Sequence, residues 1–193
     1  MTNVYPRIVK WGFFGVKNHG RFTYSEGSNR MSSIGTKPGT LPVTCDCSAF
    51  VTLCYFWAGC KDPNGLGYNH EGYTGTLINH GREINAIDVK PGDLVIYGPG
   101  TGEHVALVIS EGHGDPVTIS MGKQGDPSVV RVSQDGRPYR FYRYDTTGPG
   151  VIKRALNHLP RPRKVVVAQS PITSVQATTA AMEQATAKPP AGA

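Results

Sequence analysis

Glycine and proline recur along this chain and limit the length of its secondary-structure elements. There are 24 glycines and 15 prolines among 193 residues, about a fifth of the chain and well above ordinary usage. They follow no fixed period, which excludes a collagen-like fold. Because both residues interrupt helices and strands, the pattern predicts short elements joined by many turns and argues against a helical bundle or a coiled coil.

Aromatic residues are confined to the first three quarters of the chain. All 9 Tyr, 6 Phe and 2 Trp precede Asp145. A packed core without aromatic side chains is uncommon, so we place a domain boundary near Gly148 and assign residues 1–147 to one folded domain. Residues 148–193 are rich in Pro, Ala and Thr, a composition typical of a tail or linker, and we expect them to be largely disordered.

The formal net charge of +6 arises mainly in this tail. Residues 1–147 contain 14 basic and 13 acidic side chains, whereas residues 148–193 contain 6 basic and 1 acidic. Such a tail attracts anionic surfaces, and the simpler alternative is a solvated segment that keeps the protein soluble. The balanced charge of residues 1–147 argues against a nucleic-acid partner.

The N-terminus and the hydropathy pattern bear on location. Residues 1–6 lack the basic and then apolar pattern of a signal peptide, so the sequence predicts a protein made in the cytoplasm without its own export signal. No apolar run approaches the ~20 residues of a membrane span, and we expect no membrane partner.

The predicted elements form an α+β domain. Apolar residues three and four apart predict a helix over Ser48–Ala58, ended by Gly59, and a second helix is predicted over Arg7–Val16. Five short strands with short connections follow, which predicts an antiparallel sheet. They are Asp93–Tyr97, His104–Ser110, Pro116–Ser120, Val129–Ser133 and Arg140–Tyr144.

Four cysteines lie close together in the sequence: Cys45, Cys47, Cys54 and Cys60. The Cys45–Cys47 spacing is too tight for a zinc knuckle and Cys54 falls on the apolar side of the helix, so we expect no metal site. A Cys45–Cys60 disulfide remains an alternative that sequence does not assign.

Cys47 stands where a loop becomes the helix, which suits a nucleophile. The helix dipole and unpaired N–H groups favour a thiolate there and can bind an oxyanion. Asp46 alone would raise the thiol pKa, so a cationic partner is needed, and His104 at the start of a strand is the candidate. The alternatives are a structural buried cysteine and a half-exposed edge histidine.

Two segments resemble the motifs of one enzyme family. Residues 46–51, DCSAFV, resemble the D-C-S-G-F-V nucleophile segment of the NlpC-type, papain-like cell-wall peptidases. Residues 91–97 and 104–109, PGDLVIY and HVALVI, resemble their P-G-D-L and H-V-G-I histidine segment. The resemblance implies a papain-like fold in which N-terminal helices pack on a small antiparallel sheet of about five strands.

A second resemblance extends over about three fifths of the chain, from Tyr24 to Tyr144. It is to the peptidase domains of actinobacteriophage endolysins, and the similar segments are YSE at 24–26, DPNG at 62–65, GYTGTL at 72–77 and YGPGTG at 97–102. It implies a phage-encoded protein that is made in the host cytoplasm and acts at the bacterial cell wall.

Together these resemblances imply a cysteine-type endopeptidase or amidase that hydrolyses an amide in the peptide stem of peptidoglycan, without a cofactor. Cys47 attacks the carbonyl, and His104, protonated in the resting pair, donates its proton to the leaving amine and then activates water. Backbone N–H groups at the helix start hold the oxyanion. Tyr24, Asp46 and Ser48 contact the substrate.

One position departs from the phage pattern. The residue that orients the catalytic histidine usually lies in an S-H-G segment, which reads Ser120-Met121-Gly122 here, and a thioether orients an imidazole poorly. Three interpretations follow: Ser120, Gln124 or a bound water orients His104; the Cys–His pair works unaided; or the domain is degenerate and only binds cell wall or virion components.

Overall fold

The computed structural model describes residues 5–122 and 126–146. The first long element is helix α1, Tyr5–Lys17, which confirms the predicted N-terminal helix. The second is helix α2, Cys47–Ala58, which begins one residue before the predicted start. The domain boundary near Gly148 and the tail after it lie outside the described residues.

Helix α2 is the centre of the domain. Every one of its residues is buried, so the one-sided apolar stripe expected from sequence is wrong: α1 and the sheet cover it on several sides. Asp46 caps its N-terminus, because the side chain accepts a hydrogen bond from the backbone N–H of Ala49 at 2.7 Å. Gly59 ends it in the left-handed conformation at φ 73°, as predicted.

The main sheet has six strands, one more than predicted, and all its pairs are antiparallel. The spatial order is β3-β8-β4-β5-β6-β7. The strands are β3 (Arg82–Ile84), β4 (Leu94–Tyr97), β5 (His104–Val108), β6 (Val117–Met121), β7 (Pro127–Arg131) and β8 (Tyr139–Arg143). The α+β class and the antiparallel arrangement are therefore confirmed. Edge strand β3 was missed, since it has three residues and no alternating pattern.

The sheet divides the apolar residues into two layers because successive side chains of a strand point to opposite faces. One face packs against α1 and α2 and includes Val105, Ile119 and Met121. The outer face carries a smaller cluster that includes Tyr97 and Ala106. This division decides which side chains of β5 and β6 can meet.

Two further features precede the sheet in sequence. Strands β1 (Phe22–Tyr24) and β2 (Val43–Cys45) form a short parallel pair, and helix α3 spans Thr74–His80. Neither was predicted: the strands have three residues each, and α3 lies in a segment whose glycines favour a loop. Strand β2 leads directly into Asp46 and thereby fixes the start of α2. No helix among residues 5–122 and 126–146 is long and apolar enough to cross a membrane.

Candidate active site

Cys47 is the first residue of α2 and is nearly enclosed. Its exposed fraction is 7%. Burial is the main cause that raises the pKa of its thiol to about 11, and the neighbouring Asp46 carboxylate raises it further. The backbone N–H groups of Val105, Ser48 and Cys47 itself act in the opposite direction and lower this pKa. The sulfur therefore lies at a cluster of donors, as a nucleophile that develops negative charge requires.

His104 begins β5 and directly precedes Val105. The start of this strand therefore carries both the imidazole and the Val105 N–H that lowers the pKa of Cys47. Its ring stacks on Tyr97, with ring centres 5.7 Å apart and planes 26° apart. Burial lowers the pKa of His104 to about 4, and the positive charge of Arg137 adds to this effect, while Asp135 opposes it.

Ser120 contacts the outer nitrogen of this imidazole. The distance from His104 Nε2 to Ser120 Oγ is 2.7 Å. Since Nε2 is engaged by the hydroxyl, Nδ1 is the ring nitrogen that remains for proton transfer. Sequence reasoning named Ser120 as one candidate orienting residue, and the other, Gln124, lies outside the described residues.

Met121 does not lie near the imidazole. In the β5–β6 pairing Ala106 faces Ser120, which places Ser120 and His104 on the outer face of the sheet. Met121, the next residue, therefore points to the opposite face, where it is fully buried in the cluster that packs against the helices. The assumption that Met121 occupies the orienting position is wrong, because neighbouring residues of a strand never share a face.

The protonation state of the pair also differs from expectation. A protonated His104 beside a thiolate was predicted for the resting site. Burial favours the uncharged form of both groups, since it raises the pKa of Cys47 and lowers that of His104. The structure therefore favours a neutral pair.

An open groove of about 750 Å³ runs over the outer face of the sheet beside His104. Tyr24 lines it and donates a hydrogen bond to Glu26 at 2.8 Å. Burial chiefly, and next the hydrogen bond to Glu26, raises the pKa of Tyr24. Tyr24 pairs with Cys45, two residues before Cys47, where β1 and β2 run side by side. The groove wall includes residues that sequence reasoning missed, among them Tyr97, Asp135 and Arg137.

Asp46 and Ser48 flank the nucleophile but are engaged with other protein groups. Ser48 Oγ donates to Asp46 Oδ1 at 2.8 Å. Arg30 Nη1 lies 3.1 Å from Asp46 Oδ2 and donates to Ser48 Oγ at 3.1 Å. Sequence reasoning missed Arg30, which stands in a loop rich in Gly and Ser with no recognisable pattern.

The remaining cysteines are free thiols in this structure. Cys45, Cys54 and Cys60 are all buried, and burial raises the pKa of each. The Cys45–Cys60 disulfide considered from sequence is not formed. Within the described ranges, no three His, Cys, Asp or Glu side chains are grouped as ligands for a metal ion.

Comparison with known proteins identifies the family of the chain. A sequence model of the NlpC/P60 family matches residues 24–134, more than half of the chain. The chain belongs to the NlpC/P60 family. The matched segment contains Cys47, His104 and Ser120.

Two curated relatives of similar sequence come from mycobacteria. The chain is 31% identical over 102 residues to the peptidoglycan endopeptidase RipB of Mycobacterium tuberculosis, which covers 53% of this chain and 39% of RipB. It is 30% identical over 91 residues to the peptidoglycan endopeptidase RipA of Mycolicibacterium smegmatis, covering 47% of this chain and 17% of RipA. The chain thus spans well under half the length of either relative.

Solved structures with similarity to the chain include two mycobacterial proteins. The structure of the peptidoglycan hydrolase RipB from M. tuberculosis has a TM-score of 0.46 and 28% identity, and the match covers 74% of this chain and 67% of RipB. RipD from M. tuberculosis, described as a non-catalytic NlpC/p60 domain protein, has a TM-score of 0.49 and 23% identity, covering 74% of this chain and 98% of RipD.

Proposed function

We propose that this NlpC/P60 protein is a cysteine hydrolase that cleaves an amide bond in the peptide stem of bacterial peptidoglycan. The observation that carries the proposal is the placement of Cys47 at the start of α2, which packs against β5, the strand that begins with His104, whose imidazole is held by Ser120. Membership of the family and the similarity to mycobacterial peptidoglycan endopeptidases support the choice of substrate.

The reaction begins from the neutral pair. His104 Nδ1 takes the thiol proton as Cys47 Sγ attacks the carbonyl carbon, and the N–H groups at the start of α2 bind the oxyanion. The imidazolium then gives this proton to the leaving amine as the C–N bond breaks, which leaves a thioester on Cys47. His104 next takes a proton from water, the hydroxide attacks the thioester, and the thiol and a free carboxylate are released.

Ser120 has a supporting role in this scheme. Its hydroxyl fixes the ring orientation through Nε2, and by accepting the Nε2 proton it selects the tautomer in which Nδ1 is the base. A hydroxyl provides no negative charge beside the imidazolium, so the orienting effect in this protein is geometric rather than electrostatic.

The proposal also includes a phage origin for the protein. The YSE, GYTGTL and YGPGTG segments are similar to actinobacteriophage endolysin peptidase domains, and they support a phage-encoded enzyme that acts on the wall of an actinobacterial host. Tyr24, which lines the groove beside His104, belongs to one of these segments. We assign Tyr24, Asp46 and Ser48 to the substrate-binding side of the site.

The decisive experiment measures new amino groups released from purified actinobacterial peptidoglycan. Wild-type protein is expected to release them, and mass spectrometry of the fragments distinguishes cleavage within the stem from cleavage at the sugar–peptide junction. Cys47→Ala is expected to lower the rate by at least 10³-fold, because no other group forms the thioester.

Cys60→Ala is the matched control, since it removes a buried thiol outside the site and is expected to retain activity. Equal release by wild type and Cys47→Ala would reject the mechanism. Binding to the wall without release by the wild-type protein would favour the alternative, a degenerate domain that acts as a structural or wall-binding protein.

A further inference from the structure

Arg30 connects three parts of the chain at the start of α2. It lies between β1 and β2, and its side chain is only 21% exposed. Nη1 contacts both Asp46 Oδ2 and Ser48 Oγ, each at 3.1 Å. Nη2 donates to the carbonyl oxygen of Gly72, in the loop that precedes α3. A planar guanidinium is suited to such simultaneous contacts because its donors lie in a fixed fork.

The Asp46 carboxylate has two opposing effects: it caps α2, and its negative charge lies beside Cys47. As the N-cap of α2 it accepts hydrogen bonds from Ala49 N, at 2.7 Å, and from Ser48 Oγ, at 2.8 Å. The same negative charge stands one residue from Cys47 and opposes the charge that develops on the sulfur during attack. The carboxylate is 13% exposed, so water does little to screen it.

We propose that Arg30 is a positioning residue that acts on both effects: its guanidinium fixes the Asp46 cap and offsets the carboxylate charge beside Cys47. The inference deepens the proposed function, since it rests on Cys47 as the nucleophile. His104 supplies no resting positive charge because burial favours its neutral form. The sequence predicted that a protonated His104 would be the cation that offsets the charge of Asp46. In this proposal Arg30 is that cation.

The test follows the rate at which iodoacetamide alkylates Cys47 between pH 7 and 9, with mass spectrometry of the peptide that contains it. This rate is proportional to the thiolate fraction and needs no peptidoglycan. Arg30→Met removes the charge and keeps an unbranched side chain. We expect about tenfold slower alkylation, since one uncompensated like charge at this range shifts a pKa by about one unit or more.

A double variant separates charge from accessibility. Arg30→Met/Asp46→Asn removes both charges, so the rate is expected to return to within about threefold of wild type if Arg30 acts by compensating Asp46. A slow rate that persists in the double variant would overturn the inference, because it would show a purely structural role. An unchanged rate in Arg30→Met would overturn it as well.

Two further measurements distinguish a change in Cys47 reactivity from loss of the fold. Cys45, Cys54 and Cys60 are 1%, 2% and 1% exposed, against 7% for Cys47, so their alkylation reports unfolding in the same sample. If Arg30→Met does not fold, Arg30→Lys provides the test: it keeps the charge and loses the fork, and it is expected to react within about threefold of wild type, whereas a tenfold loss would reject charge compensation. Because Cys47 alkylation is independent of hydrolysis, absence of amino-group release from peptidoglycan would reject the proposed function and leave this result standing.

Discussion

Individual residues of the site show how burial sets the chemistry of the reacting pair. Cys47 and His104 are both withdrawn from water, and burial favours the uncharged form of each side chain more than water does. The positive charge of Arg137 reinforces this at His104, and Asp135, its bidentate partner, opposes it. In the proposed mechanism the resting pair is therefore neutral, with a thiol at Cys47 and an uncharged imidazole at His104.

This protonation state predicts an unusually broad pH profile. His104 must be neutral to accept the thiol proton, and its pKa is lowered to about 4, so kcat/KM on a soluble stem peptide should fall only as the pH drops toward 4. The alkaline limit should lie near the Cys47 pKa of about 11. At pH 5 the wild type should retain most of its plateau value, and an acid limb near the ordinary histidine pKa of ~6.5 would contradict the expectation.

A pair of variants provides the control for this profile. Arg137→Gln removes a cation that lowers the His104 pKa, so the acid limb should move upward. Asp135→Asn removes an anion that raises the same pKa, so the limb should move downward. Shifts of the acid limb in opposite directions in the two variants would show that the limb reports the titration of His104. Shifts in the same direction would contradict that assignment.

Secondary-structure elements place the site through the register of two strands. The pairing of Ala106 with Ser120 puts Ser120 on the face of His104, and the alternation of strand side chains sends Met121 into the core. A shift of one residue in β6 would exchange these two side chains. The orienting group is thus determined by pairing between strands rather than by the identity of one residue.

Substitutions at the two neighbouring positions should therefore behave very differently. Ser120→Ala removes the hydroxyl that orients His104, and we expect kcat to fall about tenfold with KM little changed, equivalent to about 1.4 kcal/mol for one lost hydrogen bond. Steady-state kinetics and thermal unfolding together test this, since the fold should be unaffected.

Met121 provides the matched comparison. Met121→Leu conserves volume in the core and should leave kcat unchanged. Met121→His places a polar ring in the helix-facing core, where we expect a loss of stability of about 1–3 kcal/mol and no gain in activity. Higher activity in Met121→His would show that this position does reach the imidazole and would refute the register argument.

The whole molecule combines a nearly neutral domain with a basic C-terminal stretch. Residues 148–193 contain 6 basic side chains and 1 acidic side chain. If the protein acts on the cell wall, an anionic surface, this charge should increase local concentration through long-range attraction that salt screens. The attraction adds to adhesion and takes no part in bond cleavage.

A charge-neutral tail tests this division of roles in the full-length chain. Replacing Lys153, Arg154, Arg161, Arg163 and Lys164 by Gln should weaken sedimentation with purified walls several-fold at low salt, with little difference at about 1 M salt, where charges are screened within ~3 Å. Hydrolysis of a soluble stem peptide should not change. Equal wall binding by both proteins at low salt would assign adhesion to residues 1–147.

The site could be predicted from sequence where its signals are local. The helix at Cys47 and the Gly59 stop involve contacts within a few residues, so propensity and spacing indicate them directly. The strand that starts at His104 was found for the same reason. The short β1, β2 and β3 strands were missed, because three residues carry too little periodicity to be recognised.

The amino-acid sequence by itself determined the α+β class, the position of Cys47 at a helix start and the position of His104 at a strand start. The tertiary structure alone decided that α2 is buried on all sides, that Ser120 rather than Met121 contacts His104, and that Arg30 forms an ion pair with Asp46. The physical reason is distance along the chain: burial, strand register and ion pairing join residues many positions apart, and no short-range pattern encodes which partners will meet.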